Sequence, residues 1–300
     1  MARPEHYRHM GNSMEEVSYE KRSLLSGSQN LCTLNKLHHE RLNIMLLTTA
    51  IGYSSKYTEC LFKNRQLLAA KDGNSSVCIL PYKLSPGRSP AWSKILYIKH
   101  FLHYADAVFW MDGDALVAHT HFLPSYLFQH NASVVLSSDF QNSLSCIRRA
   151  GYSSVRHMFS NESYCHSLPI EDRCCAIEVV NTGVMFLKNT KWTHWFLDEV
   201  YSLPLTSQKY HQMFKRLQGY SSFWRRSGKV KAAEQLFIRA IRHEYPAKWA
   251  MHVKVMHFKY MNSWCKYFTD HDWIWHGAGR DCKKDSGELL TRCERFNDNL

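Results

Sequence analysis

The stretch that decides the fold is Val108-Phe109-Trp110-Met111-Asp112-Gly113-Asp114-Ala115-Leu116, in which an apolar run ends in two carboxylates. The four apolar residues predict a buried strand, which we place at Ala107–Met111. Residues i and i+2 share one face of an extended chain, and the small Gly113 lets the chain bend, so that both carboxylates approach one ion. Hard oxygen ligands of this kind suit Mg²⁺ or Mn²⁺, which also bind phosphate oxygens. A polar turn that only ends a strand is the alternative interpretation.

Composition restricts the function classes without choosing among them. The 300-residue chain is 45% hydrophobic and 21% charged, which is typical of a globular protein and excludes wholesale disorder. Lys and Arg together (38) exceed Asp and Glu (26), which gives a formal net charge of +12. Such a charge favours an anionic partner: nucleic acid, a membrane surface or a phosphorylated small molecule.

Short apolar runs alternate with amphipathic segments along the chain. We expect strands at 42–49, 77–82, 107–111 and 133–137, and helices at 57–71, from 92, from 192 and around 233–241. Residues 177–180 and 184–187 are predicted as strand pieces that Asn181-Thr182-Gly183 interrupts, 249–255 and 273–275 as short strands, and the remainder as a basic tail. This alternation predicts an α/β fold: a doubly wound, mainly parallel central sheet with helices on both faces. Ligands of such sheets bind beyond the carboxyl ends of the strands.

Six motifs follow one another in order along the chain: Trp92-Ser93-Lys94, Asp112-Gly113-Asp114-Ala115, Asn181-Thr182-Gly183, Lys188-Asn189-Thr190-Lys191-Trp192 with Leu197-Asp198, Glu234-Gln235, and His276-Gly277-Ala278-Gly279. This order resembles the galactosyl/xylosyltransferase family, which includes galactomannan galactosyltransferases, yeast-type mannosyltransferases and xyloglucan xylosyltransferases. The resemblance covers residues 42–284. It implies a retaining, metal-dependent glycosyltransferase of the GT-A (Rossmann-like) fold.

The resemblance also implies a metal site and a donor site. Asp112 and Asp114 would hold Mn²⁺ or Mg²⁺, with His276 as the third ligand through a neutral imidazole. The nucleotide-sugar, a UDP-sugar in preference to a GDP-sugar, would contact a set of residues near the strand ends and in the C-terminal motif: Gly52, Tyr53, Lys94, Asp112, Gly113, Gly279, Arg280 and Lys283. Solvated surface is the alternative for the basic residues, and an ordinary turn for Gly52 and Tyr53.

Catalytic roles follow from the same resemblance. Glu234, Gln235 and Asn181 would lie close to the transferred sugar. Lys94 would reach the sugar-nucleotide or brace Asp112. Retention requires a covalent glycosyl-enzyme or front-face attack through an oxocarbenium-like species, and we favour the second, in which the departing phosphate takes the acceptor's proton.

Other functions stay open on the sequence alone. An Asp-x-Asp after an apolar strand also occurs in haloacid-dehalogenase-like phosphatases, where the first Asp is a nucleophile. The charge of +12 is compatible with a basic nucleic-acid-binding protein, although no nucleic-acid-binding signature appears and we expect no such partner. A GT-A fold without activity that serves as a partner subunit is a third alternative. We expect a glycan or glycoprotein acceptor.

The sequence divides into a polar segment, 1–40, predicted as a tail or stem, and a catalytic domain, 41–300. No apolar run approaches the roughly 20 residues of a membrane-spanning helix. Three Asn-x-Ser sequons, at Asn74, Asn131 and Asn161, and ten cysteines favour the Golgi or secretory-pathway lumen, with the cytoplasm as alternative. Membrane association through an N-terminal anchor missing from this sequence, and homo- or hetero-oligomers, are left open.

Overall fold

The computed structural model describes residues 31–33, 42–80, 83–84, 90–138, 180–202, 234–256, 258–265, 268–277 and 286–300. The strands are β1 Leu31–Thr33, β2 Ile44–Thr49, β3 Ser75–Leu80, β4 Ala107–Met111, β5 Ala115–Val117, β6 Val134–Ser138, β7 Val180–Lys188, β8 Val253–Met256, β9 Ser263–Trp264 and β10 Ile274–His276. The helices are α1 Ser55–Asp72, α2 Ser93–Phe101, α3 Pro124–Phe128, α4 Lys191–Ser202, α5 Glu234–Glu244, α6 Pro246–His252, α7 Phe258–Met261 and α8 Ser286–Asn299, and a 3₁₀ turn, Pro90–Trp92, precedes α2.

Seven strands form the central sheet, in the order β1-β3-β2-β4-β7-β6-β8. The pairs β2–β3, β2–β4 and β6–β8 are parallel. Strand β7 runs antiparallel to both of its neighbours, and β1 runs antiparallel to β3. Five of the seven strands, β2, β3, β4, β6 and β8, therefore run in one direction, which confirms the predicted mainly parallel α/β sheet, and β7 is a reversed strand inside it. Strand β1 lies within the segment predicted as a tail, and the domain boundary at residue 41 stays a prediction.

Helices cover both faces of this sheet, as the continuous apolar runs predict. Met45, Leu47, Val108 and Trp110 pack with α2 and α4 on one face. The intervening residues of the same two strands, Ile44, Leu46 and Phe109, pack with α1 on the other face. Because both faces are buried, the first position open to ligand is the end of each strand.

Strand β7 is continuous, so the prediction of two strand pieces separated by Asn181-Thr182-Gly183 is wrong. Its pairing with β6 shifts between Leu136, which lies opposite Met185, and Ser137, which lies opposite Asn181. The residues between Asn181 and Met185 therefore bulge out of that ladder. Pairing with β4 continues through this region, because Met111 still lies opposite Val184. The motif marks a bulge inside a strand, not the end of one.

Two predictions for the C-terminal third are wrong. Residues 249–255 are not one strand: Pro246 opens α6, and β8 begins only at Val253. The predicted basic tail contains helix α8, which packs against α1 and buries Leu289, Cys293 and Phe296. These three residues recur every three or four positions, which is the helical period.

A second sheet of three strands, in the order β5-β10-β9, lies beside the strand ends. The predicted strand at 273–275 is confirmed, shifted by one residue, as β10. Strands β5 and β10 are antiparallel, with Ala115 opposite His276. A disulfide joins Cys60 of α1 to Cys293 of α8. Within the described ranges, no helix has the length and apolar character needed to cross a membrane.

Candidate active site

The turn between β4 and β5 carries both carboxylates of the Asp-x-Asp motif. The Asp112 amide donates to Gly183 O (2.7 Å), and the Ala115 amide donates to Asp112 O (3.0 Å), so the chain turns directly from the large sheet into the small one. A Cβ on Gly113 would lie 2.5 Å from Thr49 O. Packing therefore gives a reason for glycine at this position, besides the bend that the sequence predicted.

His276 lies beside Asp114 because β10 pairs with β5. The imidazole Nε2 is 3.3 Å from Asp114 Oδ1, and both side chains are buried. The backbone strengthens this arrangement, since the Gly277 amide donates to Asp114 O at 2.8 Å. Gly183 of β7 also lies against the ring, since a Cβ at this position would be 2.4 Å from Cε1 and 3.0 Å from Nε2. The sheet thus holds the imidazole in a slot that the bulge of β7 completes.

Asp112, Asp114 and His276 form a cluster suited to a divalent cation. One ligand atom of each lies within 4.8 Å of the others, and no further cluster of three such side chains occurs in the described part of the chain. Two carboxylate oxygens and one imidazole nitrogen are a donor set that Mn²⁺ and Mg²⁺ accept. A ligand role for His276 Nε2 requires the neutral tautomer with its proton on Nδ1.

Lys94 forms a buried ion-pair network beside this cluster. Its Nζ lies 2.9 Å from Asp112 Oδ1 and 2.9 Å from Glu234 Oε1, and donates to Thr182 O at 3.0 Å. Burial opposes the charged form of Lys94, but the nearby Asp112 and Glu234 carboxylates raise its pKa above the ordinary value. The Trp110 indole N–H also donates to Asp112 Oδ1, at 2.8 Å. Of the two roles expected for Lys94, its geometry matches the one that braces Asp112.

Glu234 is almost completely buried at the start of α5. Its Oε1 accepts the Thr182 hydroxyl proton at 2.7 Å as well as pairing with Lys94. Its Oε2 is buried and has no hydrogen-bond partner among the residues that the structure describes. A buried carboxylate oxygen without a partner is costly, so this atom is a candidate to meet a ligand. Gln235, the next residue, is half-buried.

Gly52 and Tyr53 lie on the other side of the Asp-x-Asp turn, after β2. Gly52 adopts a positive φ of 82°, which favours glycine, and no atom lies near the position of a Cβ. The Tyr53 ring packs 4.9 Å from the Tyr57 ring. Burial, followed by the negative charges of Asp114 and Asp112, raises the pKa of Tyr53 above its usual range. Its phenol is therefore neutral and lies close to the carboxylates.

Four predicted site residues remain: the structure describes Asn181, but not the three residues of the C-terminal motif. Asn181 Oδ1 accepts the Gly183 amide proton at 2.7 Å, so its side chain stabilises the bulge of β7. Gly279, Arg280 and Lys283 lie outside the described residues. The structure thus brings ten of the predicted site residues to one end of the sheet: Gly52, Tyr53, Lys94, Asp112, Gly113, Asp114, Asn181, Glu234, Gln235 and His276.

Sequence reasoning did not single out Thr182 or Trp110. Thr182 donates its hydroxyl to Glu234 and its carbonyl accepts from Lys94, and Trp110 donates to Asp112. The only signal for Thr182 was its place in the Asn-Thr-Gly motif. Trp110 was assigned to the apolar strand, and nothing in its spacing indicates that its N–H reaches a carboxylate two residues later.

Comparison with known proteins supplies the family. Residues 40–267 match the model of the galactosyl transferase GMA12/MNN10 family. No curated protein sequence matches the chain. The chain is a glycosyltransferase, in agreement with the resemblance, and the phosphatase and nucleic-acid-binding alternatives are not favoured.

Solved glycosyltransferase structures resemble the chain at low identity. One is involved in glycosylation of the major capsid of PBCV-1 (14% identity, 84% of this chain and 99% of that chain, TM-score 0.49). Another is the galactosyltransferase LgtC (11%, 85% and 96%, TM-score 0.44), and a third is mouse xyloside xylosyltransferase 1 (10%, 82% and 100%, TM-score 0.40). The family match covers most of the sequence and agrees with the expected GT-A fold. The chain therefore belongs to the galactosyl transferase GMA12/MNN10 family.

Proposed function

We propose that this glycosyltransferase moves a hexose or pentose from a nucleotide-sugar, a UDP-sugar in preference to a GDP-sugar, to a glycan or glycoprotein acceptor. We propose further that Asp112, Asp114 and His276 hold Mn²⁺ or Mg²⁺. The observation that carries the proposal is the position of these three side chains, with ligand atoms within 4.8 Å of one another, at the end of the central strand. That is the edge of an α/β sheet where ligands bind.

The charges of the site support a divalent cation. The carboxylates of Asp112, Asp114 and Glu234 lie together with Lys94 and His276 at this end of the sheet. A bound Mn²⁺ or Mg²⁺ would be attracted by the Asp112 and Asp114 carboxylates and, when it also contacts a diphosphate, would stabilise that group as it departs.

The contacts of Glu234 support a role in orienting the transferred sugar. Lys94 and Thr182 both contact its Oε1, while Oε2 has no partner in the described ranges. A fixed acceptor of this kind can align a sugar hydroxyl. In front-face transfer the departing phosphate accepts the acceptor's proton, so the chain needs no separate base. Asn181 and Gln235 are proposed to line the same space.

The nucleotide is proposed to bind between Tyr53 and the C-terminal motif. Tyr53 follows β2, and its ring edge lies next to Gly113. A neutral, half-buried phenol offers a flat face to a base. Gly52 shapes the turn that presents this ring, and the backbone of Gly113 is proposed to border the donor. Gly279, Arg280 and Lys283 are proposed to contact the diphosphate, where cations form charge-assisted hydrogen bonds.

A secretory-pathway location, Golgi or lumen, is proposed from the thiol chemistry of the chain. The Cys60–Cys293 disulfide connects α1 to α8, and disulfides persist in oxidising compartments. Asn131, in an Asn-Ala-Ser sequon, is exposed. We expect a glycosidase-sensitive mass shift on protein expressed in eukaryotic cells, which Asn131→Gln diminishes. Loss of the disulfide and the glycan together in native material would contradict this location.

The test of the function is metal-dependent stabilisation by donor. We expect UDP-sugars, with Mn²⁺, to raise the melting temperature of the wild-type chain, and Asp114→Ala to abolish this shift and turnover while the protein stays folded. Asp198→Ala is the matched control, because Asp198 is an exposed carboxylate that pairs with Lys99. Absence of any metal-dependent shift with UDP-, GDP- and CMP-sugars, or full activity in excess chelator, would overturn the proposal.

A further inference from the structure

Helix α1 donates hydrogen bonds to three alternate carbonyl groups along the chain that leaves the Asp-x-Asp turn. The Tyr57 hydroxyl donates to Gly113 O at 2.7 Å, and the Arg65 guanidinium Nη2 donates to Ala115 O. Asn64 Nδ2 donates to Val117 O at 3.0 Å, while its Oδ1 accepts the Val117 amide proton at 2.9 Å. Side chains of one helix thus replace a neighbouring strand along this edge of β5.

The opposite edge of β5 carries His276. Strand β10 pairs with β5 so that His276 lies opposite Ala115 and Trp275 lies opposite Leu116. Asp114 immediately precedes β5 and accepts the Gly277 amide proton. The relative position of Asp114 and His276 therefore depends on where β5 lies, and α1 fixes β5 from the side that β10 does not occupy.

Burial of the Arg65 guanidinium is energetically unfavourable. It is fully buried, and it has no ion pair with a carboxylate among the described residues. Its contacts are Ala115 O and the Asn64 amide oxygen, the latter at 2.7 Å, and its Nε has no partner in the described ranges. An unpaired buried cation lowers stability relative to an apolar side chain of similar volume. A positional requirement at Ala115 would explain its presence.

We propose that Tyr57, Asn64 and Arg65 are positioning residues for the metal site: they hold β5 so that Asp114 and His276 converge on the same ion. This rests on the proposed metal-dependent function. The three residues would act through the backbone carbonyl groups of Gly113, Ala115 and Val117, to which their side chains donate.

The experiment measures Mn²⁺ affinity of the full chain by the electron paramagnetic resonance signal of free Mn²⁺, without donor. Tyr57→Phe keeps the ring and removes only the hydroxyl, and we expect its Mn²⁺ Kd to rise about fivefold, the effect of one ordinary hydrogen bond. For Arg65→Met we expect about tenfold or more, as for other residues that support metal ligands. Arg65→Lys, which keeps a cationic donor, should restore part of the affinity.

Asn189→Ala is the matched control. Asn189 Nδ2 donates to Ala105 O at 3.2 Å, and Asn189 follows the end of β7 remote from the bulge, so its loss should lower stability without changing the Mn²⁺ Kd. Hydrogen exchange of amides 114–117, measured without metal, should quicken in Tyr57→Phe and not in the control. If Arg65→Met fails to fold, Tyr57→Phe decides.

The outcomes separate the two proposals. Unchanged Mn²⁺ affinity and unchanged exchange of residues 114–117 in folded Tyr57→Phe would overturn the positioning role while the metal site stands. A wild-type chain that binds no Mn²⁺ would overturn the proposed metal site, on which the positioning role rests. A weakened Kd in Tyr57→Phe with wild-type affinity in Asn189→Ala supports the positioning role.

Discussion

Gly183 packs so closely against the His276 ring that it leaves no room for a side chain: a Cβ on Gly183 would lie 2.4 Å from Cε1 and 3.0 Å from Nε2 of the imidazole. Real Cβ atoms do not approach so closely, and the buried ring has little room to move. Gly183 does not have a positive φ. The glycine of the Asn-Thr-Gly motif is therefore explained by the space that the imidazole needs.

Gly183→Ala should displace the His276 ring and weaken the metal site. We expect the Mn²⁺ Kd to rise about tenfold or more, as when a ligand loses its orientation. Isothermal titration calorimetry measures it. Gly73→Ala is the matched control: Gly73 ends α1 at φ 70° with open space around its Cα, so alanine costs about 1 kcal/mol of stability without reaching the site. Equal Mn²⁺ affinities in Gly183→Ala and wild type would show that the His276 ring can move to accommodate the methyl group without weakening Mn²⁺ binding.

Lys94 pairs with the buried Glu234 carboxylate and the partly exposed Asp112 carboxylate, so its removal should destabilise the fold. Lys94→Met leaves Glu234 buried without its cation, and we expect a loss of about 3–5 kcal/mol in the free energy of unfolding, measured in urea. Lys99→Met, on the same helix, removes a largely exposed pair with Asp198 and should cost less than about 1 kcal/mol. Similar losses of unfolding free energy in both variants would mean that the buried ion pairs of Lys94 contribute no more stability than the exposed pair of Lys99.

Alkaline pH should reduce the contribution of Lys94 in a defined direction. Its folded pKa is raised above the unfolded value of about 10.4, so the stabilisation is complete below that pH and declines as pH rises toward the folded pKa. The difference in unfolding free energy between wild type and Lys94→Met should stay constant from about pH 7 to 9 and shrink above about 10.4. A difference that already shrinks between pH 7 and 9 would contradict the raised pKa.

The sequence predicted element boundaries correctly where neighbouring residues alone determine them. Strand β4 is an apolar run that ends at a carboxylate, and helix α1 ends at Asp72-Gly73. The predicted bounds of β4 and the predicted end of α1 lie within one residue of those in the structure. The interpretation of 249–255 as a strand failed because Trp249 and Val255 lie in different elements that meet near Val253. Short apolar runs do not distinguish a helix turn from a strand.

Contacts between distant segments could not be predicted. Arg65 contacts the backbone fifty residues later, and Thr182 meets Glu234 fifty-two residues later. Neither has a local pattern, because a buried arginine within a helix looks like a solvated one until its neighbours are known. Helix α8 differs: Leu289, Cys293 and Phe296 have helical spacing, so its period could have been recognised in the sequence.

Tyr53→Ala should weaken nucleotide binding while leaving the metal cluster intact. Stacking of a base on an aromatic ring is worth about 1–3 kcal/mol, so we expect the Kd for UDP to rise about tenfold or more. Tyr53→Phe keeps the ring and should bind UDP nearly as wild type does. Fluorescence or calorimetric titration with UDP measures both. An unchanged UDP Kd in Tyr53→Ala, with normal Mn²⁺ affinity, would place the base elsewhere.

Glu234→Gln tests whether the Glu234 carboxylate orients the transferred sugar or only supports the fold. Glutamine has the same shape and can still accept protons from Thr182 and Lys94, but it lacks the charge. If Glu234 acts on the transferred sugar, kcat and kcat/KM should fall together by about 10²-fold, with donor KM nearly unchanged. Thr182→Val, which removes only the hydroxyl that supports Glu234 Oε1, is the companion variant and should have a smaller effect. Steady-state transfer assays and urea unfolding distinguish lost activity from lost folding. A near-wild-type kcat in Glu234→Gln would remove this residue from the catalytic set and leave it as the partner of Lys94.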